Sequence, residues 1–116
     1  MEEIHELLGY KNIKIIQNDN MFSFSCDSML LAYFVNTNYR TKNIIDLGCG
    51  NAPIPLYLTL KTDAKIYGID IQKEICDMAQ RSVKLNSLEN QIEIINSDIK
   101  DIYKIVGTNH FDIVTC

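Results

Sequence analysis

Tryptophan is absent from the 116 residues, proline occurs only at Pro53 and Pro55, and arginine only at Arg40 and Arg81. With a net charge of -4, so little arginine argues against a broad nucleic-acid surface on this chain, because neutralising phosphates needs clustered Lys and Arg. No uninterrupted apolar run approaches the ~20 residues that a membrane span requires. The start, Met1-Glu2-Glu3-Ile4-His5, is acidic and mixed rather than a basic segment leading into an apolar one, so no membrane partner and a cytoplasmic location are expected. Cys26, Cys49, Cys76 and Cys116 form no C-x-x-C pair, and neither histidine stands at a metal-ligand spacing. That excludes a zinc site or a disulfide framework and leaves reduced, mostly buried thiols. Internal repeats, low-complexity tracts and Gly/Ser linkers are also missing.

What is present is an ordinary globular composition, 47% apolar and 22% charged, enough for one small domain. Residues 1–42 read as an extension. A short helix is predicted from Glu2 to Leu8, then a β-hairpin in which the apolar 13–17 and 21–25 segments flank the polar turn Asn18-Asp19-Asn20. Ser25 is a suitable N-cap for a following helix, and Cys26, Met29, Leu30, Tyr33 and Phe34 form one apolar stripe along it.

From Asn43 the pattern becomes alternating strand and helix. Strands are predicted at 43–48, 65–70, 92–97 and 111–116, with helices near 53–61, 73–86 and 100–106. In the middle helix Ile75, Met78, Ala79, Ser82, Val83 and Asn86 share one face, while Lys73, Glu74, Asp77, Arg81 and Lys84 solvate the other. Such alternation predicts an α/β, Rossmann-like doubly wound parallel sheet with right-handed crossovers. Ligands of such sheets bind beyond the carboxyl ends of the strands. The polar residues to weigh are therefore Asp46 to Asn51, Asp70, Asp98, Thr115 and Cys116.

The glycine-rich turn Gly48-Cys49-Gly50 follows the first of these strands, yet Asn51, Ala52 and Pro53 come next, so the third glycine of a dinucleotide fingerprint is absent. Charge separates the ligand classes further. A carboxylate, Asp46, directly precedes the turn, and within ~6 Å of a pyrophosphate it would repel it by a few kcal/mol at an effective dielectric near 20. A cationic ligand reverses the sign. S-adenosylmethionine has a sulfonium, an ammonium and no phosphate, and charge-assisted hydrogen bonds to it are worth roughly 1.5–3 kcal/mol. Asp70 lies where doubly wound folds place a carboxylate on ribose hydroxyls, a position that fits NAD equally well. Asp98 ends the next strand, where a carboxylate can accept from the adenine amine. Each acid also has a structural use: Asp46 bracing the loop, Asp70 and Asp98 capping the helices that follow them.

Asp46-Leu47-Gly48-Cys49-Gly50, Ile69-Asp70-Ile71, Ser97-Asp98-Ile99 and Phe111-Asp112-Ile113-Val114 together resemble the class I S-adenosylmethionine-dependent methyltransferases over 43–116. The N-terminal part adds Phe22, Phe24, Asp27, Leu30, Leu31 and Ala32, similar to the F-x-F-x-x-D-x-x-L-L-A stretch of the bacterial methyltransferases that modify the exocyclic amine of adenine 37 in a valine tRNA. The resemblance implies a donor site made of Asp46, Leu47, Gly48, Cys49, Gly50, Asn51, Asp70, Ile71, Asp98 and Ile99, with S-adenosylmethionine as donor. Ile71 and Ile99 would pack on the adenine ring, with ordinary core packing as their alternative. It implies tRNA as partner and, for in-line methyl transfer, no catalytic residue in this chain.

Two departures matter. Ala52 stands where many methyltransferases have a third glycine, and it is small enough to let the next helix start near the ligand; Asn51 is a credible N-cap, and Pro53 and Pro55 sit where helix N-H groups lack internal partners. Amino-methylating relatives also have Asn-Pro-Pro-Tyr (or Phe) after the fourth strand, and no such motif occurs here. The chain is therefore expected to be the N-terminal, donor-binding portion of a methyltransferase, inactive by itself and associating through an uncovered sheet edge. A non-catalytic remnant or split-gene subunit needing a complementing polypeptide, and an NAD-binding fragment, are the alternatives. Asp27 fits either a helix first turn or the donor site, His5 and His110 are expected to be satisfied or solvent-facing, and Met78 to be core.

Overall fold

The computed structural model describes residues 1–7, 10–18, 26–107 and 111–116, with the backbone alone at 10–12, 26–29, 105 and 106. The chain begins with two antiparallel strands, β1 (Glu2–Leu7) and β2 (Tyr10–Asn18), in which Ile4 faces Ile16 and His5 faces Ile15. The helix expected from Glu2 to Leu8 is therefore a strand. A segment that short has little helical stability of its own, whereas β2 offers it a full ladder. The hairpin is accordingly β1–β2, and residues 21–25, expected as its second arm, lie outside the described residues, as do Phe22, Phe24, the Ser25 cap and His110.

Helix α1 (Cys26–Phe34) packs on α2 (Pro53–Leu58). Of its expected apolar stripe, the side chains of Cys26 and Met29 lie outside the described residues, and Leu30, Tyr33 and Phe34 are exposed, Phe34 at 70%, while the small Ala32 is fully buried and Val35 follows it inward. The close approach of two helices selects the small side chain, and the Lys61 ammonium then closes the end of α1 by donating to the carbonyls of Ala32, Tyr33 and Val35.

The remaining elements are β3 (Asn43–Leu47), β4 (Lys65–Asp70), α3 (Lys73–Leu85), β5 (Ile92–Asn96), a 3-10 turn (Ile99–Asp101), α4 (Ile102–Val106) and β6 (Ile113–Thr115). The strands pair in parallel in the order β5-β4-β3-β6, with Asp46 level with Gly68 on one side and Thr115 on the other. This is the Rossmann-like sheet that the alternation predicts. Buried Ile44, Ile66, Leu56, Leu58 and Ile92 make the main core, and Leu7, Ile13 and Ile15 carry the hairpin into it. Met78 is core as expected, packed with Ile16 and Ile75. At Gly68 a β-carbon would lie 3.0 Å from both Cys49 Sγ and Ile94 Cδ1, so close packing of the glycine turn on β4 requires glycine there.

The hairpin docks by the outer edge of β2. The Ile16 N-H donates to Ser82 Oγ at 2.8 Å, the Lys14 N-H donates to Asn86 Oδ1 at 2.8 Å, and Asn86 Nδ2 returns a bond to the Lys14 carbonyl at 2.6 Å. Ser82 and Asn86, on the apolar face of α3, thus saturate a strand edge that would otherwise bury unpaired peptide groups. On the solvent face Arg81 pairs with Glu2 and Asp77. No described helix is long and apolar enough to cross a membrane.

Candidate functional site at the carboxyl ends of the strands

β3 ends in a turn that the sequence forces into left-handed backbone. Gly48, Gly50 and Ala52 have φ of 72°, 57° and 72°. Glycine takes such values at no steric cost; alanine does so at a cost of about 1 kcal/mol. Each residue of the turn is tied to a different neighbour. The Cys49 N-H extends the ladder to the Ile69 carbonyl at 2.8 Å, the Gly50 N-H donates to Asp70 Oδ2 at 3.0 Å, and Asn51 Nδ2 donates to the Ile16 carbonyl of β2 at 3.0 Å. Helix α2 then starts with Pro53 at its first position, where no donor is lost. Its N-cap is Ala52, with no side-chain bond, so Asn51 is not the cap that its residue type suggested; its amide is committed to the hairpin instead.

Asp46 lies beneath the turn, 2% exposed, and accepts a 2.7 Å bond from the Thr115 hydroxyl of β6. Its structural role is therefore to join β3 to β6 rather than to brace the loop. Burial pushes its carboxyl up to about 6, with the Thr115 bond opposing and the nearby Asp70 charge adding to the rise. A rise from 3.8 to about 6 means that the ionised form is held against about 3 kcal/mol. Among the described residues no cation pairs with it.

Asp70 stands at the tip of β4, on the same side of the sheet as Asp46. Besides the Gly50 bond, its Oδ1 accepts from the Gln72 N-H at 2.9 Å, so it combines the expected turn before α3 with a hold on the glycine turn. Asn96, level with it on β5, steadies this tip by donating to the Asp70 and Ile71 carbonyls at 3.1 and 3.0 Å. Asp98 behaves differently: its carboxylate accepts from the Lys100 N-H at 3.1 Å and lies 3.9 Å from the Lys100 ammonium, capping its own 3-10 turn. Among the described contacts, none joins it to Asp46 or Asp70.

Ile71 and Ile99 follow the strand-end acids and are 66% and 49% exposed, so core packing does not account for them. Gly48 is exposed and has no atom within 4 Å of where a β-carbon would stand, leaving the backbone open to close approach. Leu47 is half-buried. Cys49 is buried, and desolvation pushes its thiol far up, which makes it packing material rather than a nucleophile. The structure thus brings Asp46, the glycine turn and Asp70 together and leaves Asp98 engaged at its own turn. Two partnerships escaped sequence reasoning, Thr115 with Asp46 and Asn51 with Ile16. Thr115 was visible only as a polar strand end, and nothing local marks Ile16.

Residues 39–116 match a family model described as a methyltransferase domain. Over 107 residues the chain is 25% identical to the tRNA1(Val) (adenine(37)-N6)-methyltransferase of Haemophilus influenzae, an alignment covering 90% of this chain and 45% of that protein. It is 23% identical over 90 residues to the ribosomal protein L11 methyltransferase of Fusobacterium nucleatum, covering 77% of this chain and 28% of that one. Among solved structures, a putative transferase from Pyrococcus horikoshii superposes with a TM-score of 0.76 at 19% identity, over 97% of this chain and 41% of that one. M. capricolum TrmK in complex with S-adenosyl-homocysteine gives 0.66 at 24% identity, over 80% and 40%. The chain spans less than half the length of these proteins.

Proposed function

The chain belongs to the family of methyltransferase domains, and on that premise we propose that it is the donor-binding portion of an S-adenosylmethionine-dependent methyltransferase acting on an adenine amine in tRNA. The observation that carries the reading is the buried carboxylate of Asp46 beneath a glycine turn, with no cation paired to it among the described residues. An anionic group kept ionised against burial favours a positively charged ligand and repels a pyrophosphate. Asp70 adds negative charge beside it, and the open backbone at Gly48 leaves room for a ligand against the turn.

In this reading the turn Leu47 to Asn51 holds the amino-acid part of the donor, with the exposed Gly48 against it and the buried Asp46, Cys49 and Asn51 beneath. Asp70 takes the ribose hydroxyls on the lone pairs left by its two N-H bonds, and the exposed Ile71 and Ile99 lie along the adenine ring. Asp98 serves the adenine amine only with Oδ2, which is 3.9 Å from the Lys100 ammonium, because Oδ1 accepts from the Lys100 N-H. When bound, the donor supplies an electrophilic methyl carbon for in-line attack by the acceptor amine. The chain's own residues orient and desolvate it, with no covalent step and no catalytic side chain.

The tRNA acceptor rests on the similarity to adenine-37 methyltransferases, with the F-x-F-x-x-D-x-x-L-L-A stretch in support. No Asn-Pro-Pro-Tyr motif occurs among these 116 residues, and in this reading the acceptor site is supplied by a complementing polypeptide segment. The setting is cytoplasmic. Calorimetric titration with S-adenosylmethionine, S-adenosylhomocysteine and NAD tests the ligand: binding of the first two and not the third is expected, and preference for NAD overturns the reading. Methyl transfer to unmodified tRNA, assayed with a chain extended through the remaining half, tests the acceptor.

A further inference from the structure

Asn51 is fully buried, yet only half of its amide is used: Nδ2 donates to the Ile16 carbonyl, and Oδ1 has no partner among the described residues. Burying its Oδ1 without a partner has a cost that an apolar side chain of that size would avoid, so what the amide provides is the donor to the Ile16 carbonyl. That bond joins the glycine turn to the N-terminal hairpin. The other two anchors of the turn, Cys49 on Ile69 and Gly50 on Asp70, both come from β4. Ile16 is itself fixed, because its N-H is held by Ser82 of α3. Its carbonyl is therefore a rigid acceptor, and a turn carrying left-handed residues at 48, 50 and 52 needs several such anchors to stay in one conformation.

We infer that Asn51 is a positioning residue, through which docking of the β1–β2 hairpin sets the conformation of the glycine turn and so the affinity for the donor. This deepens the reading of the site given above and rests on it for the identity of the ligand. The hairpin then belongs functionally to the donor site although it contributes only a backbone carbonyl to it.

The test compares two anchors of the same hairpin in the full chain. Asn51→Asp keeps size but replaces the N-H donor by an oxygen facing the Ile16 carbonyl, and Asn51→Ser is too short to reach it. Asn86→Ala breaks both bonds to Lys14 at the far end and leaves the turn untouched. Hydrogen exchange of the Cys49 and Gly50 amides without any ligand is expected to speed up at least tenfold in either Asn51 variant and less than twofold in Asn86→Ala. Dissociation constants for S-adenosylhomocysteine should follow the same split. Equal acceleration in all variants, or none in the Asn51 variants, overturns the positioning role. If the unaltered chain does not bind S-adenosylhomocysteine, the donor reading fails, while the exchange rates still decide what Asn51 does.

Discussion

The two ends of the parallel sheet are built to different standards. At the amino ends of the strands polar groups meet partners within the chain. Asp112 accepts from the Lys42 and Asn43 N-H groups at 2.7 and 3.0 Å, and those bonds, Asn43 first, hold its carboxyl below the usual range. Gln91 Nε2 bridges the Thr62 and Ala64 carbonyls, and Lys61 closes α1. At the carboxyl ends a carboxylate is buried with one hydroxyl for company, and the Asn51 amide oxygen has no partner among the described residues. Both ends come from the same small fold, so the contrast is not one of size or composition. Unsatisfied polar groups thus collect at the end where the proposal places the donor.

Substitutions can break this contrast. The largest effect is expected at Asp46→Asn. The amide still accepts from Thr115 but cannot attract a cation, so S-adenosylmethionine should bind at least about 30-fold more weakly, the worth of one charge-assisted bond of roughly 2 kcal/mol. Thermal denaturation at pH 7 should show the ligand-free variant to be more stable by about 1–3 kcal/mol, because the buried charge is gone. A variant that loses both affinity and stability would make Asp46 an ordinary structural residue. At the other end, Lys61→Met removes the ammonium from three carbonyls of α1 and should cost about 1 kcal/mol in a urea titration, with donor affinity changed less than twofold. The smallest effect belongs to Ser87→Gly. Ser87 is exposed with φ of 58°, so glycine relieves strain and should raise the urea midpoint by the equivalent of up to about 1 kcal/mol, again without touching donor binding.

The sequence made the sheet legible because its signals are local and periodic. The strands at 43–47, 65–70 and 92–96 and the helix at 73–85 follow from runs of Ile and from one apolar face, and the left-handed turn follows from Gly48 and Gly50. Glu2–Leu7 was not legible, since its strand exists only through pairing with β2, a contact that no local pattern announces. The exposed face of α1 misled for a related reason: an apolar stripe shows which face can be buried, while the partner decides which one is. Asp46 and Asp70 were singled out from position and charge, but the bonds that hold them, from Thr115 and Gly50, span 69 and 20 residues. Asn51 was assigned to a cap that its neighbour occupies, because the competing acceptor at Ile16 lies 35 residues away.

The most direct test of a carboxylate held for a cation is the pH dependence of S-adenosylmethionine binding. With Asp46 at about 6, its proton is retained more tightly in the folded chain than in the unfolded one. The ligand-free protein therefore loses stability as pH rises from about 4 to about 6, while a cationic ligand selects the ionised form. Between pH 5 and pH 7 the dissociation constant should fall about tenfold, as the ionised fraction rises across a pKa near 6, and the fall should vanish in Asp46→Asn. A constant that does not change over that range, or that changes equally in the variant, would contradict the claim that Asp46 is the charge that the donor meets.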